Sequence, residues 1–332
     1  MSGKPLLTVK HLKTYFEIPS NRREKQYVKA VDDVSFVIRE GEVLGLVGES
    51  GSGKSTIAYT VMGMERETGG EILLDGVNIA GKNGKRPRTF QKNVQIVFQD
   101  PGSSLNPYRT IRQILTLPLK VHNIVPPAER RDKLHEILEM VELPDTFLDN
   151  KPGTMNGGER QLVSIARALC CEPRFIILDE PTSSLDVSIQ AKIINMLLKL
   201  RNEKRLTYLF ITHDLSLMRN ISTRVAILYL GKMCEIAPTE TFYRKPLHPY
   251  TRMLLSSIPV ISEEEEALKP EKTVPKGEIP SPVNIPSGCC FHTRCNRAME
   301  ICSKEDPVMR EVESGHCVRC HLFRDCPASG QI

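Results

Sequence analysis

Apolar and polar positions alternate over residues 6–18 and 27–39, as in Val28-Ala30-Val31 and Val34-Phe36-Ile38. Period-two alternation predicts antiparallel strands with one solvated face. Residues 42–48, Glu-Val-Leu-Gly-Leu-Val-Gly, run apolar without alternation. That predicts a strand buried on both faces, as in a parallel sheet. A Gly-rich loop follows, then helical spacing from Lys54 to about Met64, a break at Gly69-Gly70, and short strands near 71–79 and 93–98. Residues 103–172 change period: Ile111, Ile114, Leu115, Leu134, Ile137, Leu138 and Val141 fall on helical spacing, with prolines at the joints. This segment is predicted to be a helical insertion. Strand patterning returns at Phe175–Leu178 and Tyr208–Ile211, separated by a helix carrying Ile189, Ile193, Ile194, Leu197, Leu198 and Leu200. Strand, helix, strand with apolar strands predicts a doubly wound α/β core. Two last strands are expected over 224–237, joined near Gly231, followed by a Pro-rich linker over 261–288.

Composition narrows this picture. The 332 residues are 40% hydrophobic and 26% charged, as in a globular protein. A net charge of +5 is too weak to point to nucleic acid. No apolar run approaches the roughly 18 residues of a membrane helix, and Met1-Ser2-Gly3-Lys4-Pro5 lacks the apolar core of a secretory signal. A cytosolic chain is expected, so any membrane part must come from other chains. The ten cysteines are uneven: Cys289, Cys290, Cys295, Cys302, Cys317, Cys320 and Cys326 crowd the tail.

Two segments carry chemistry of their own. Gly48-Glu49-Ser50-Gly51-Ser52-Gly53-Lys54-Ser55, continued by Thr56, has the spacing G-x-x-x-x-G-K-S between a buried strand and a helix. Glycines let backbone N–H groups converge on phosphate oxygens, and the following helix aims its positive end at the same anion. Lys54 is expected on the β and γ phosphates of ATP, and Ser55 on Mg²⁺. Asp179-Glu180 ends the run Phe175–Leu178, at the strand end that faces the ligand crevice of an α/β sheet. Asp179 is expected to hold Mg²⁺ and Glu180 to polarise the attacking water.

With these residues in place, nearly the whole chain resembles the ABC-transporter ATPase family. The resemblance implies a P-loop fold with a RecA-like core, an antiparallel β subdomain and a helical insertion at about 103–172. Gln99, in Val97-Phe98-Gln99-Asp100-Pro101, resembles the family's Q-loop, which touches Mg²⁺ and senses the membrane partner. His213 resembles the switch histidine on the γ-phosphate, and Ser183-Ser184-Leu185-Asp186 the loop that crosses the dimer interface. Phe16 aligns with the aromatic that stacks on adenine, with Tyr15 the neighbouring alternative. The signature segment departs from the family's Leu-Ser-Gly-Gly-Gln: it reads Met155-Asn156-Gly157-Gly158-Glu159. Asn156 can cap the helix and offer its amide NH₂ to phosphate, whereas Glu159 brings a negative charge towards an anion. A working but weakened half-site is expected.

Arg244-Lys245-Pro246-Leu247-His248-Pro249-Tyr250-Thr251, and the tail from Gly288-Cys289, resemble the dipeptide/oligopeptide importer branch. His248-Pro249-Tyr250 is read as the start of a helix, a marker rather than chemistry. Cys289, Cys295, Cys302 and Cys320 match the branch's C-x5-C-x6-C-x17-C pattern, which implies a [4Fe–4S] cluster, with zinc the alternative. The tail carries six basic and six acidic residues, so it is not a nucleic-acid module. The expected domains are an ATPase domain at 1–260, the linker, and a small cysteine-rich extension at 289–326. The resemblance implies two membrane permease subunits, a second ATPase subunit (a related chain or a second copy), an extracytoplasmic substrate-binding protein acting indirectly, and a peripheral place on the cytoplasmic face of the membrane. A soluble ABC-type ATPase acting on nucleic acid or ribosomes, and an importer of nickel or oligosaccharide, are the competing functions.

Overall fold

A computed structural model of the chain describes residues 3–19, 25–79, 86–258, 270–272 and 277–328. Residues 261–269 and 273–276 of the expected linker lie outside the described residues. In chain order the elements begin with β1 (Pro5–Ile18), β2 (Gln26–Arg39), β3 (Val43–Val47), α1 (Lys54–Met62), β4 (Gly69–Leu74) and β5 (Val77–Asn78). Next come α2 (Arg88–Asn93), β6 (Val94–Val97), α3 (Pro101–Ser104), α4 (Ile111–Val121), α5 (Arg130–Met140), α6 (Gly157–Leu169), β7 (Phe175–Asp179) and α7 (Val187–Lys204). The chain continues through β8 (Thr207–Thr212), α8 (Leu215–Ile221), β9 (Arg224–Tyr229), β10 (Lys232–Pro238), α9 (Thr239–Arg244) and α10 (Pro249–Ser256). It closes with β11 (Met309–Glu313) and β12 (His316–Arg319).

These elements form two compact units. The first comprises Met1–Lys4, Arg39–Glu42 and Lys85–Ile211. In it β6, β7 and β8 run parallel, with Ile177 opposite Ile96 on one side and Leu209 on the other. Ile176, Ile177 and Leu178 are fully buried, each contributing about 1.5–3 kcal/mol of apolar transfer. The helices α3 to α6 occupy the region expected to be a helical insertion. Thr110 and Gln113 close a capping box at the start of α4.

The second unit comprises Pro5–Ile38, Val43–Gly84 and Thr212–Ile332. One sheet is antiparallel, in the order β2-β1-β4-β5. The predicted alternation holds in part: Leu7, Val9, Leu12 and Thr14 are buried with Thr8, Lys10 and Lys13 more exposed between them, but Leu6 is buried too and the parity changes at His11. Gly69-Gly70, expected to break the pattern, instead opens β4. The register against β1 shifts between Lys10 and Lys13, and Gly70 sits at φ +90°, where a Cβ would lie 2.5 Å from the His11 carbonyl oxygen. The glycines serve a β-bulge, not a loop.

In the same unit β3 pairs parallel with β9, β9 antiparallel with β10, β10 with β12, and β12 with β11. No strand was predicted in the tail, yet β12 hydrogen-bonds to β10. The turn at Gly315 (φ +73°) was the available signal, since Met309 and Val312 stand three apart and Met-Arg-Glu-Val-Glu has no period-two alternation. Val318, Cys320 and Leu247 form a small apolar cluster, joined by Val312, Leu322 and Phe323. Glu235 is the knot beneath it. Its carboxylate accepts from the Leu247 N–H (2.9 Å), the His248 N–H (2.8 Å) and the His316 ring (2.7 Å). His248 caps α10 by accepting from the Tyr250 N–H at 3.0 Å, and burial pushes its pKa down to about 4. The His-Pro-Tyr segment is therefore both a helix start and an anchor for the tail.

Candidate functional site

The phosphate loop lies in the second unit, between β3 and α1. Its glycines are obligatory. A Cβ on Gly48 would stand 2.3 Å from the Leu228 carbonyl oxygen, and one on Gly53 2.1 Å from that of Ala30. Gly51 and Gly53 have φ of +77° and +103°, the left-handed region that side chains avoid. The loop is braced from behind by the Gly231 N–H, which donates to the Ser52 carbonyl at 2.9 Å. Lys54 is 5% exposed, and its Nζ donates to the carbonyls of Gly48 (2.8 Å) and Glu49 (3.0 Å). Its charge is thereby drawn across the loop. Gly53 gives α1 no side-chain cap, and no acidic residue stands in the first turn. The positive end of the α1 dipole therefore meets the loop with no capping side chain or acid in front of it. Ser55 and Thr56 are half-buried in the same turn.

Phe16 is 36% exposed near the end of β1. Tyr15 is committed inward: its hydroxyl donates to Asp32 at 2.5 Å, and burial followed by that bond pushes its pKa up. Of the two aromatics, Phe16 is the one with a ring to offer. His213 is exposed just after β8, where the Asp214 carboxylate caps α8 by accepting from Ser216 and Leu217.

The acidic residues lie in the first unit. Asp179 is fully buried at the end of β7. Glu180 follows at φ +46°, a conformation that costs a non-glycine residue about 1–3 kcal/mol. Its N–H donates to the Ile211 carbonyl at 2.9 Å, which holds the strained turn, and Gln99 Nε2 donates to its carboxylate at 3.1 Å. Two residues 81 positions apart in sequence are thus brought within hydrogen-bonding distance. Asp186 caps α7: the Ser188 hydroxyl and the Ile189 N–H hold its carboxyl below the usual range.

The signature segment starts α6. Asn156 Oδ1 accepts from the Glu159 N–H, and the Glu159 carboxylate accepts from the Asn156 N–H, both at 2.9 Å. This reciprocal box leaves the Asn156 amide NH₂ as its outward donor and turns the Glu159 charge back onto the cap. Gly158 lets α6 approach α7, since a Cβ there would meet Ile189 Cγ2 at 2.8 Å.

The four patterned cysteines share one neighbourhood in the tail. Cys320 lies within electrostatic reach of Cys289, Cys295 and Cys302. Each sulfur accepts a backbone N–H: Cys289 from Phe291, Cys295 from Arg297, Cys302 from Met299 and Cys320 from Leu322. Cys290 differs. Its thiol is turned to the Tyr229 carbonyl; burial pushes its pKa up to about 12, as it does that of Cys320, and that of Cys289 to about 11. Among the described residues no three His, Cys, Asp or Glu side chains are grouped closely enough to hold a single metal ion.

Two residues at the site escaped the sequence. The Tyr250 hydroxyl and the Arg294 guanidinium both bond the Glu49 carboxylate, across separations of 201 and 245 residues. Tyr250 lay inside a recognised segment but was read as a marker only. Nothing in the local pattern around Arg294 announced a contact with the loop.

Comparison with known proteins bears on this geometry. Residues 31–183 match the family described as ABC transporter, and residues 234–302 the oligopeptide/dipeptide transporter C-terminal region. The oligopeptide transport ATP-binding protein AppF of Bacillus subtilis is 47% identical over 321 residues, covering 96% of this chain and 97% of AppF. YkfD of the same organism is 46% identical over 333 residues, covering both chains in full. A solved ATP-binding cassette, in a dimeric post-hydrolysis state bound to ADP and Pi, superposes with a TM-score of 0.61 at 30% identity. It covers 70% of this chain and 99% of its own. No helix among the described residues is long and apolar enough to cross a membrane. The chain belongs to the ATP-binding subunits of ABC transporters of the oligopeptide/dipeptide import family.

Proposed function

We propose that this subunit hydrolyses ATP to drive uptake of di- or oligopeptides, with the following division of labour. Lys54 and the backbone amides of Gly48–Ser55 and Thr56 take the phosphates, and Phe16 stacks on adenine. Ser55, Gln99 and Asp179 would hold Mg²⁺, which would supply positive charge to offset that of the phosphates. Glu180 polarises the attacking water, with Gln99 as its hydrogen-bond partner, and His213 contacts the γ-phosphate. Asn156, Gly157, Gly158 and Asp186 serve the nucleotide of a second ATPase subunit. Dimeric states of similar cassettes support that pairing. Two membrane permease subunits complete the machine, fed by an extracytoplasmic binding protein. The chain works peripherally, on the cytoplasmic face of the membrane. The observation that carries the reading is the loop itself, with Lys54 drawn across an uncapped helix N-terminus. Glu180→Gln is expected to slow phosphate release by about 100-fold or more while ATP affinity changes by less than about threefold. Hydrolysis that survives this change would remove Glu180 from the mechanism.

The domain boundaries proposed are 1–260 for the ATPase, 261–288 for the linker and 289–326 for the cysteine-rich extension. In the extension, Cys289, Cys295, Cys302 and Cys320 would hold a [4Fe–4S] cluster, which would cross-link parts of the tail far apart in sequence. A single zinc ion needs sulfurs about 3.7 Å apart, given Zn–S bonds of about 2.3 Å. No group of three ligating side chains is assembled among the described residues for either metal, and the support for a cluster is the cysteine spacing together with Cys-only ligation. Burial raises the pKa of the Cys289, Cys295 and Cys320 thiols, with a backbone N–H on each sulfur acting the other way, so a bound metal would itself have to draw them to the thiolate. Cys302→Ser is expected to lower bound iron by about tenfold or more, whereas Cys290→Ser leaves it within about twofold. Equal iron in both variants would contradict this ligand set.

A further inference from the structure

We infer that Arg294, from the cysteine-rich tail, is a positioning residue for ATP binding: it clamps and neutralises Glu49 inside the phosphate loop. Glu49 is the only acidic residue among the eight of the loop. Its carboxylate belongs to a segment whose task is to hold a polyanion, and like charge there opposes binding. The guanidinium of Arg294 meets it with a fork. One terminal nitrogen donates to Oε2 at 2.9 Å and the other to Oε1 at 3.3 Å. The Tyr250 hydroxyl donates to Oε2 at 3.2 Å, and the Glu49 N–H donates to the same hydroxyl at 3.3 Å.

The clamp is built, not incidental. Arg294 is 6% exposed, lies over the rings of Tyr229 (5.8 Å) and Phe291 (6.0 Å), and donates to the Tyr229 hydroxyl at 3.5 Å. Tyr229, Tyr250 and Phe291 pack on one another with ring centroids 4.7 to 5.3 Å apart. A buried cation needs an anionic partner, and Glu49 is that partner. Arginine fits because two parallel bonds fix the carboxylate in both position and plane.

Glu49 is also the residue whose carbonyl holds Lys54 Nζ at 3.0 Å. It is therefore pinned at its amide, its carbonyl and its carboxylate. Freed from Arg294, the carboxylate can turn to the Lys54 ammonium and compete with the phosphates for that charge. The tail would then govern ATP affinity without touching ATP. Arg294 immediately precedes Cys295, so the same stretch of chain carries both a proposed cluster ligand and the clamp.

The test uses the full-length chain and Mg–AMP-PNP in titration calorimetry, with thermal melts to check folding. Arg294→Gln is expected to weaken binding about tenfold, and adding Glu49→Gln to restore it to within about twofold of the parent. In the assembled transporter, Arg294→Gln should raise KM for ATP with little change in kcat. Arg294→Lys keeps the charge but gives up the fork. If Arg294→Gln does not fold, a weakening of about threefold in Arg294→Lys that Glu49→Gln relieves supports the assignment. Unchanged affinity, or a loss that Glu49→Gln leaves in place, overturns it and reduces Arg294 to an anchor of the tail. The inference rests on the phosphate-loop reading, and Lys54→Ala separates the two: affinity that survives Lys54→Ala refutes the loop assignment, not only the clamp.

Discussion

The helices α1 and α6 both begin with a glycine-rich turn, and in the proposed function both face phosphate. They prepare their N-termini in opposite ways. α1 has Gly53 at its cap position, no side-chain cap and no acid in its first turn. Lys54 adds a full positive charge to the helix dipole. α6 is capped by Asn156 and carries Glu159 in its first turn, with the two locked in a reciprocal box. Such a box stabilises a helix by about 1 kcal/mol, but it uses the Asn156 and Glu159 N–H donors and offsets part of the dipole. A helix start can be tuned for its own stability or for a ligand. Here α1 starts without a capping side chain, while α6 ties two of its donors into its own cap.

The strongest way to break this comparison is at α1. Gly53→Ala places a Cβ against the Ala30 carbonyl and forces a left-handed φ on a residue with a side chain. Nucleotide affinity is expected to fall by about 100-fold or more, measured by titration of the purified chain. Near-normal binding by this variant would mean that the close approach seen here is not needed. The smaller effect lies at α6. Glu159→Gln keeps the capping box, because glutamine accepts the same bond, but removes the charge. Stability should change by less than about 0.5 kcal/mol, and hydrolysis by the assembled transporter should rise about threefold. A fall in hydrolysis would show that the Glu159 charge assists the reaction and that α6 is not the weaker anion site.

Much of the site was legible because its logic is local. Eight consecutive residues specify the phosphate loop, and each glycine position has a steric reason within the turn or against one neighbouring carbonyl. Asp179 and Glu180 were legible because a buried strand announces its own end. Gln99 and Glu180 were legible one at a time, and their hydrogen bond followed from the parallel pairing of β6 with β7. The tail was harder. Its strands β11 and β12 are five and four residues long, and they carry charges on their half-exposed positions. Period-two patterning is weak at that length, and β10, to which β12 pairs, lies about 80 residues earlier. The bulge at Gly70 was misread for a related reason. A glycine pair looks like a break until the facing strand supplies the residue at positive φ, His11.

By itself the sequence determined the chemistry that backbone can perform: a loop able to wrap phosphate, a strand ending in two acids, and a cysteine pattern placed after the catalytic core. These follow from sterics and period, which act over a few residues. Tertiary structure decided how the charges are paired. It turned Glu159 back onto its own helix cap, bent Gln99 to Glu180, and gave the Glu49 carboxylate to an arginine 245 residues away. Spacing along a chain carries no information about such pairs. A buried charge takes whichever partner the fold brings within hydrogen-bonding distance, and only the folded chain selects it.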